Sequence, residues 1–203
     1  ESPWGTTQRE QKEGLEFGAK EYREIDAHCL AVGIDWFASA WDLEAQEFLR
    51  GFNLKYNKIA SKMLVNTELL KMVAKEGKYT FISSNGWMGD EEHELVKAVE
   101  IFRKYDCPFT VMHCVPLYPC PDNKCNLGII PVLKARFNCP IGYSSHNYSI
   151  LPSSLAVLLG AEAIEIHVTL DRASYGSDQA SSFERDGLKR ICRDTRIVRS
   201  IVG

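Results

Sequence analysis

The chain reads as an α/β protein, a parallel sheet curled as a partial (β/α)8 TIM barrel with six of the eight strand-helix units present. Three observations predict this. Short apolar runs alternate with amphipathic helical patterns along the whole length, which implies parallel strands joined by helical crossovers. Almost every apolar run ends in a polar cluster: Ser39, Lys58 with Ser61, Ser83, His113, Ser144 with His146, and Glu165 with His167. A doubly wound sheet is expected to carry one Gly-rich phosphate turn, yet neither G-x-G-x-x-G nor G-x-x-x-x-G-K occurs. Polar groups shared among the C-terminal ends of many strands are the pattern of a barrel.

The elements follow in order. A helix is expected over 8–32, with Leu15, Tyr22, Ile25, Cys29 and Leu30 as its apolar stripe and Gly33 as its stop. Residues 34–39 form the first strand, followed by a helix over 43–49. Residues 56–61 form the second strand, and Asn66 caps a helix running through Leu69, Leu70 and Val73 to Gly77. Strand 79–83 and helix 90–105 come next, then strand 109–114, a Pro-rich loop over 116–121 and a short helix over 129–136. The fifth and sixth strands, 140–143 and 163–166, read as buried and flank a helix over 151–159. An amphipathic helix over 186–202 ends the series. Six strands are two short of closure, and barrels of this kind usually need about 250 residues. The missing pair is therefore expected before Glu1, and the absent initiator methionine points the same way.

Size and composition narrow the function. A length of 203 residues fits one domain, and 45% hydrophobic with 25% charged residues is a soluble globular composition. A net charge of −3 without a basic run argues against a nucleic-acid surface. No apolar stretch reaches the roughly 18 residues that span a bilayer. The seven cysteines are odd in number and irregularly spaced, as expected of reduced thiols in a cytoplasmic protein. Cys114, Cys120 and Cys125 with His113 have spacings that match no common zinc module.

The strand-tip groups have a consistent chemistry. His146 and His167 end successive strands, which lie about 4.8 Å apart in a parallel sheet, so the two can share one divalent metal ion. Two protein ligands leave positions open for water and substrate oxygens, where an ion acts as a Lewis acid on a carbonyl. Lys58 with the hydroxyls of Ser61, Ser83 and Ser144 suits a phosphate or carboxylate. Glu165 shares a strand face with His167, from which it can orient substrate or relay a proton. The four tryptophans, Trp4, Trp36, Trp41 and Trp87, read as packing residues.

These motifs resemble the sialic acid synthase family. Ser2-Pro3-Trp4-Gly5 resembles the segment after that family's second strand, and Asp35-Trp36-Phe37-Ala38-Ser39 its third-strand motif. Lys58-Ile59-Ala60-Ser61 is similar to K-I-x-S, and Ile82-Ser83-Ser84 with Gly86 and Met88 to an interrupted I-S-T-G-M. His113-Cys114 with Tyr118-Pro119 resembles H-C-T-x-x-Y-P, and Tyr143-Ser144-Ser145-His146 resembles Y-S-G-H. The run from Glu165 to Asp171 resembles E-K-H-F-T-L-D, and the run from Gly176 to Gln179 resembles G-S-D-H.

The resemblance implies a synthase-type catalytic barrel over 1–203 that condenses phosphoenolpyruvate with an N-acetylated hexose, N-acetylmannosamine-like, to give a nonulosonic (sialic) acid and phosphate. It implies His146 and His167 as metal ligands, with manganese as the ion. Lys58, Ser61, Ser83, Ser144 and Ser39 would hold the phosphoenolpyruvate phosphate, and Tyr118, Glu165 and Asp178 would act around the sugar. It also implies a homodimer in the full-length protein and a C-terminal antifreeze-like domain beyond this chain. The chain departs from the family at Pro116, where a polar residue is usual, at Met63, where some members have a sugar-contacting Glu, and at Ser145 and Gln179. These departures keep open a second reading, a non-catalytic or divergent barrel that binds a sugar phosphate or a protein partner.

Overall fold

The computed structural model describes residues 3–86 and 91–203. Ser2, Trp87, Met88 and the expected helix start at Asp90 lie outside the described residues. The chain opens with three helices, α1 (Gln8–Leu15), α2 (Ala19–Val32) and α3 (Leu43–Arg50). Strands and helices then alternate: β1 (Tyr56–Ile59), α4 (Thr67–Ala74), β2 (Tyr79–Ser83), α5 (Glu91–Lys104), β3 (Phe109–Cys114), α6 (Ile129–Phe137) and β4 (Ile141–Ser145). They continue with α7 (Leu151–Leu158), β5 (Ala163–Val168), β6 (Ser182–Phe183) and α8 (Arg185–Val202). The strands form one sheet in sequential order, every neighbouring pair parallel.

Register sorts the side chains of this sheet into two layers. Ile59 pairs with Ile82, Ile82 with Val111 and Val111 with Ile141, so these residues share one face. They join one core with Leu69, Leu70 and Val73 of α4, Leu95 and Phe102 of α5, and Ile130 and Leu133 of α6. The opposite face carries Lys58, Ser83, Cys114, Ser144 and Glu165 toward its upper end. Phe37, Tyr56, Tyr79 and Phe81 pack edge to face or stacked lower on that face, with Phe37 and Phe81 rings 5.6 Å apart. Gly142 lets Met112 cross this layer, since a Cβ there would lie 2.3 Å from the Met112 sulfur.

Local signals explain most boundaries. Asp42 Oδ1 accepts from the Ala45 amide to start α3, and Asn66 Oδ1 accepts from the Leu69 amide to start α4. Glu76, just past α4, accepts from Gln46, Arg50 and Asn57, which ties α3, α4 and β1 together below the site. Burying the Glu76 carboxylate raises its pKa, but these donors outweigh burial and hold it below the ordinary carboxylate value.

Four expectations are corrected. The long first helix is two helices, because Glu16 and Gly18 are extended and the Gly18 amide donates instead to Glu21, at 2.9 Å. Its expected apolar stripe is only partly used: Tyr22 packs on the core, whereas Leu15 is exposed and Leu30 is 83% exposed. Residues 34–39 are not a strand; only Ser39 makes a parallel bridge, to Lys58. Side-chain packing holds that segment instead: Trp36 sits against Tyr22 and Phe52 and donates to Asp26 at 2.8 Å. The sixth strand in the sheet is therefore Ser182–Phe183, too short to give a hydrophobic periodicity. Lastly, β5 is half-buried where a buried strand was expected.

Packing strength differs along the chain. Leu69, Leu70 and Val73 of α4 are fully buried, and each contributes about 1.5–3 kcal/mol. No residue of α2 is buried, so its attachment rests on the Tyr22 ring cluster and the Trp36–Asp26 hydrogen bond.

Candidate active site

A cleft of about 550 Å3 opens at the C-terminal ends of the strands, within the range usual for small-molecule sites. Every residue singled out from the sequence as a site residue lines it: Ser39, Lys58, Ser61, Ser83, Tyr118, Ser144, His146, Glu165, His167 and Asp178. Two other hollows, about 760 Å3 between α1, α2 and α3 and about 600 Å3 between α7 and α8, draw on none of the strand-tip groups except Ser39.

The cation sits at the base. Lys58 is 8% exposed, because β1 places it on the inner face, and its ammonium is satisfied locally. Nζ donates to Ser83 Oγ at 2.6 Å and to the Ile59 carbonyl at 3.2 Å, and lies 3.6 Å from Glu165 Oε2. Register explains the carboxylate: Ser144 pairs with Glu165, and Ser144 Oγ donates to Glu165 Oε1 at 2.9 Å. Lys58, Ser83, Ser144 and Glu165 thus form one network across strands β1, β2, β4 and β5.

The histidines sit higher. His146 follows β4 and is buried, and His167 lies near the end of β5. Their ring centroids are 5.3 Å apart at 71°. His146 Nδ1 lies 2.7 Å from the Val115 carbonyl, so it donates there and leaves Nε2 as the acceptor nitrogen, which faces the Cys114 thiol at 3.9 Å. Burial holds His146 below the ordinary imidazole value, which keeps the neutral, ligating form. His167 Nδ1 lies 3.6 Å from Asp178 Oδ2. Two imidazoles with a carboxylate nearby suit a borderline divalent ion. Among the described residues no three or more His, Cys, Asp or Glu converge as a cage, so an ion here would take its remaining ligands from water and substrate.

Tyr118 forms the roof. Its ring stacks on His146 with centroids 3.9 Å apart and meets His167 edge-on at 5.7 Å. Asn147 fixes the loop that carries it. The Asn147 amide donates to the Cys120 carbonyl at 2.9 Å and to Asp122 at 3.1 Å, and its carbonyl oxygen accepts from Tyr143 and Ser145. The Cys120 amide donates to the His146 carbonyl at 2.8 Å. Burial raises the Tyr118 phenol, so the ring acts as an un-ionised surface and hydrogen-bonding group.

Several groups escaped the sequence reading. Lys62, Phe37, Trp41 and Cys114 also line the cleft, although Trp41 reads from the sequence as packing alone. Lys62 directly follows the K-I-A-S motif, a signal available in the sequence. Burial lifts the Cys114 thiol to about 11, so this sulfur is un-ionised at neutral pH. His113 does not line the cleft: it is fully buried, and its Nε2 donates to the Cys125 carbonyl at 2.8 Å. Met63 packs against the core, away from the cleft. Pro116 lies on the cleft wall without an amide proton to offer.

Comparison with known proteins identifies the family. The NeuB family model matches residues 1–203. N-acetylneuraminate-9-phosphate synthase of Drosophila melanogaster is 39% identical over 189 residues, covering 93% of this chain and 50% of that protein. N,N'-diacetyllegionaminic acid synthase of Campylobacter jejuni is 33% identical over 193 residues, covering 93% of this chain and 57% of that protein. The N-acetylneuraminic acid (sialic acid) synthetase of Leptospira borgpetersenii, solved in complex with citrate, superposes with a TM-score of 0.90 at 34% identity, covering 98% of this chain and 70% of that one. The chain spans about half the length of the curated relatives it matches. On the family match and these likenesses, the chain belongs to the NeuB family.

Proposed function

We propose that this chain forms the catalytic barrel of a nonulosonic acid synthase, which condenses phosphoenolpyruvate with an N-acetylated hexose and releases phosphate. The observation that carries this reading is the meeting of the Lys58–serine network and the His146–His167 pair in one cleft. In support, the relatives are named as synthases of sugar acids, and one related synthetase was solved in complex with citrate.

Lys58, Ser61, Ser83, Ser144 and Ser39 hold the phosphate of phosphoenolpyruvate by one full charge and four hydroxyls. Glu165 occupies Lys58 and Ser144 in the free protein and gives them up when the phosphate arrives. Tyr118, Glu165 and Asp178 orient the open-chain sugar so that its aldehyde carbon faces C3 of phosphoenolpyruvate. His146 and His167 are the residues that would hold a divalent ion, manganese in this reading, which when bound supplies Lewis-acid polarisation of the aldehyde.

In the reaction the C2=C3 electron pair forms the new C–C bond as the aldehyde C=O pair moves onto its oxygen, which takes a proton; water adds at C2 and loses a proton, and cleavage of the C2–O bond expels phosphate and leaves a ketone. Glu165, released from Lys58 and Ser144 by the arriving phosphate, is then free to take the proton of that water. We read the full-length protein as a cytoplasmic homodimer; no helix among the described residues is long and apolar enough to cross a membrane.

The test is manganese-dependent phosphate release from phosphoenolpyruvate across a panel of N-acetylated hexoses. Release dependent on one sugar supports the reading. Silence with every sugar, while metal still binds, turns it toward the non-catalytic barrel, which the prolyl residue at Pro116 favours.

A further inference from the structure

Strand β3 ends in two residues able to bind metal, His113 and Cys114, which its two-residue period sends opposite ways. His113 turns into the protein interior, whereas Cys114 pairs in register with Ser144 and lines the cleft. The Cys114 sulfur lies 3.9 Å from His146 Nε2, and both side chains are buried, at 4% and 3% exposure. Because His146 Nδ1 is committed to the Val115 carbonyl, Nε2 carries the lone pair. A sulfur and a nitrogen bound to one tetrahedral zinc, with bonds of about 2.3 and 2.0 Å, stand roughly 3.5 Å apart. The separation of Cys114 and His146 is therefore close to that of two ligands on a single ion. The condensation reading uses the His146 lone pair together with His167 and gives the thiol no task.

We propose that Cys114 and His146 form a second donor pair, which captures soft divalent ions such as zinc or cadmium in place of manganese. The proposal rests on the reading of His146 as a metal ligand. His146 belongs to both pairs, and its one lone pair serves one ion at a time, so the two modes exclude each other. Softness sorts the ions. A thiolate with an imidazole suits zinc and cadmium, whereas two imidazoles with water and substrate oxygens accept manganese. The metal–sulfur bond forms as the thiol proton leaves to solvent, so the step needs no oxidant or reductant. Among the described residues no cage of three or more such ligands exists, so water fills the remaining positions. Capture of a soft ion thus inhibits the protein by taking His146 from manganese.

The probe is cadmium, whose bond to a thiolate gives an ultraviolet charge-transfer band that imidazole and oxygen ligands do not. The titration uses a Cys192→Ser background, because Cys192 is an exposed thiol. The band is expected in that background, lost in Cys114→Ser, Cys114→Ala and His146→Ala, and kept in His167→Ala. Two substitutions at Cys114, each checked by circular dichroism, separate loss of a ligand from loss of the fold. Cadmium is also expected to release bound manganese, read by electron paramagnetic resonance. Cys114→Ser should raise the cadmium needed by at least about tenfold, since loss of even a group behind a ligand costs that much. Absence of the band while Cys114 is intact overturns the proposal, as does a band that survives Cys114→Ser or His146→Ala. Cadmium and manganese bound together overturn it too, because His146 is then not shared. A band lost with Cys114 and His146, in a protein that never binds manganese, refutes the manganese reading and supports the soft pair.

Discussion

Lys58→Ala is expected to damage phosphoenolpyruvate binding selectively. Lys58 Nζ is held at 2.6 Å from Ser83 and 3.6 Å from Glu165, so in the free protein it is already aimed into the cleft. Removing it deletes a charge-assisted hydrogen bond to a phosphate oxygen, worth about 1.5–3 kcal/mol. The dissociation constant for phosphoenolpyruvate then rises about 10- to 150-fold. Fold stability falls by a similar amount. The Lys58–Glu165 pair is screened, since the glutamate side chain is 37% exposed, and the main loss is the buried lysine stem, about 1–3 kcal/mol. Calorimetric titration of phosphoenolpyruvate, manganese titration and urea denaturation should be run on the same preparation. Parallel losses of phosphoenolpyruvate and manganese affinity would refute the reasoning, because they would make Lys58 a structural group. Unchanged phosphoenolpyruvate affinity in a folded variant would do so equally.

Other expectations follow from the same geometry. Glu165→Gln removes the anion that competes for Lys58 and Ser144, so phosphoenolpyruvate should bind about tenfold more tightly while turnover falls; tighter binding with unchanged kcat would exclude a proton-transfer role. His146→Ala and His167→Ala should each abolish manganese binding, read by electron paramagnetic resonance, while circular dichroism keeps the folded signal; metal binding that survives both substitutions separates the pair from any ion. Gly142→Ala should cost about 1–3 kcal/mol in urea, since its Cβ would meet the Met112 sulfur at 2.3 Å and the Ala163 carbonyl at 2.9 Å; wild-type stability would show that this layer repacks freely.

Burial lowers the pKa of both His113 and His146, so each takes up a proton near pH 6.5 only when unfolded. Their contribution to stability is present above about pH 6.5 and declines as pH falls below it, by up to about 1.4 kcal/mol per pH unit for each. Urea titrations from pH 7.5 to 5.5 should show this slope, reduced in His113→Gln; an identical slope in that variant removes His113 from the account.

Much of the site was readable from the chain because each functional group ends an apolar run. Lys58, Ser83, Ser144 and His167 sit at or next to the last positions of short strands, with Glu165 two residues before His167, and the two-residue period assigns each to the inner face. What misled the reading was apolar content without a structural consequence. Ile34 and Leu30 look like strand and helix core, yet they are 62% and 83% exposed, because among the described residues no strand pairs beyond residues 34–39 and α2 turns that side to solvent. The break at Glu16–Gly18 was legible only in part, since glycine interrupts a helical pattern without dictating where the chain turns.

The alternation of apolar runs and amphipathic helices, with polar residues at the strand ends, determined by itself the parallel α/β architecture and the end of the sheet that carries the chemistry. Side-chain period and crossover length are local properties, and local sequence encodes them. Which groups touch was decided by tertiary register. The pairing of Ser144 with Glu165 across β4 and β5 brings that carboxylate to Lys58 of β1, and the Asn147 bonds set Tyr118 on the His146 ring. The same packing turned His113 away from the cleft and left Lys62 facing into it. Those outcomes depend on how strands far apart in sequence align and which side of each turn the core fills, and no single segment contains that information.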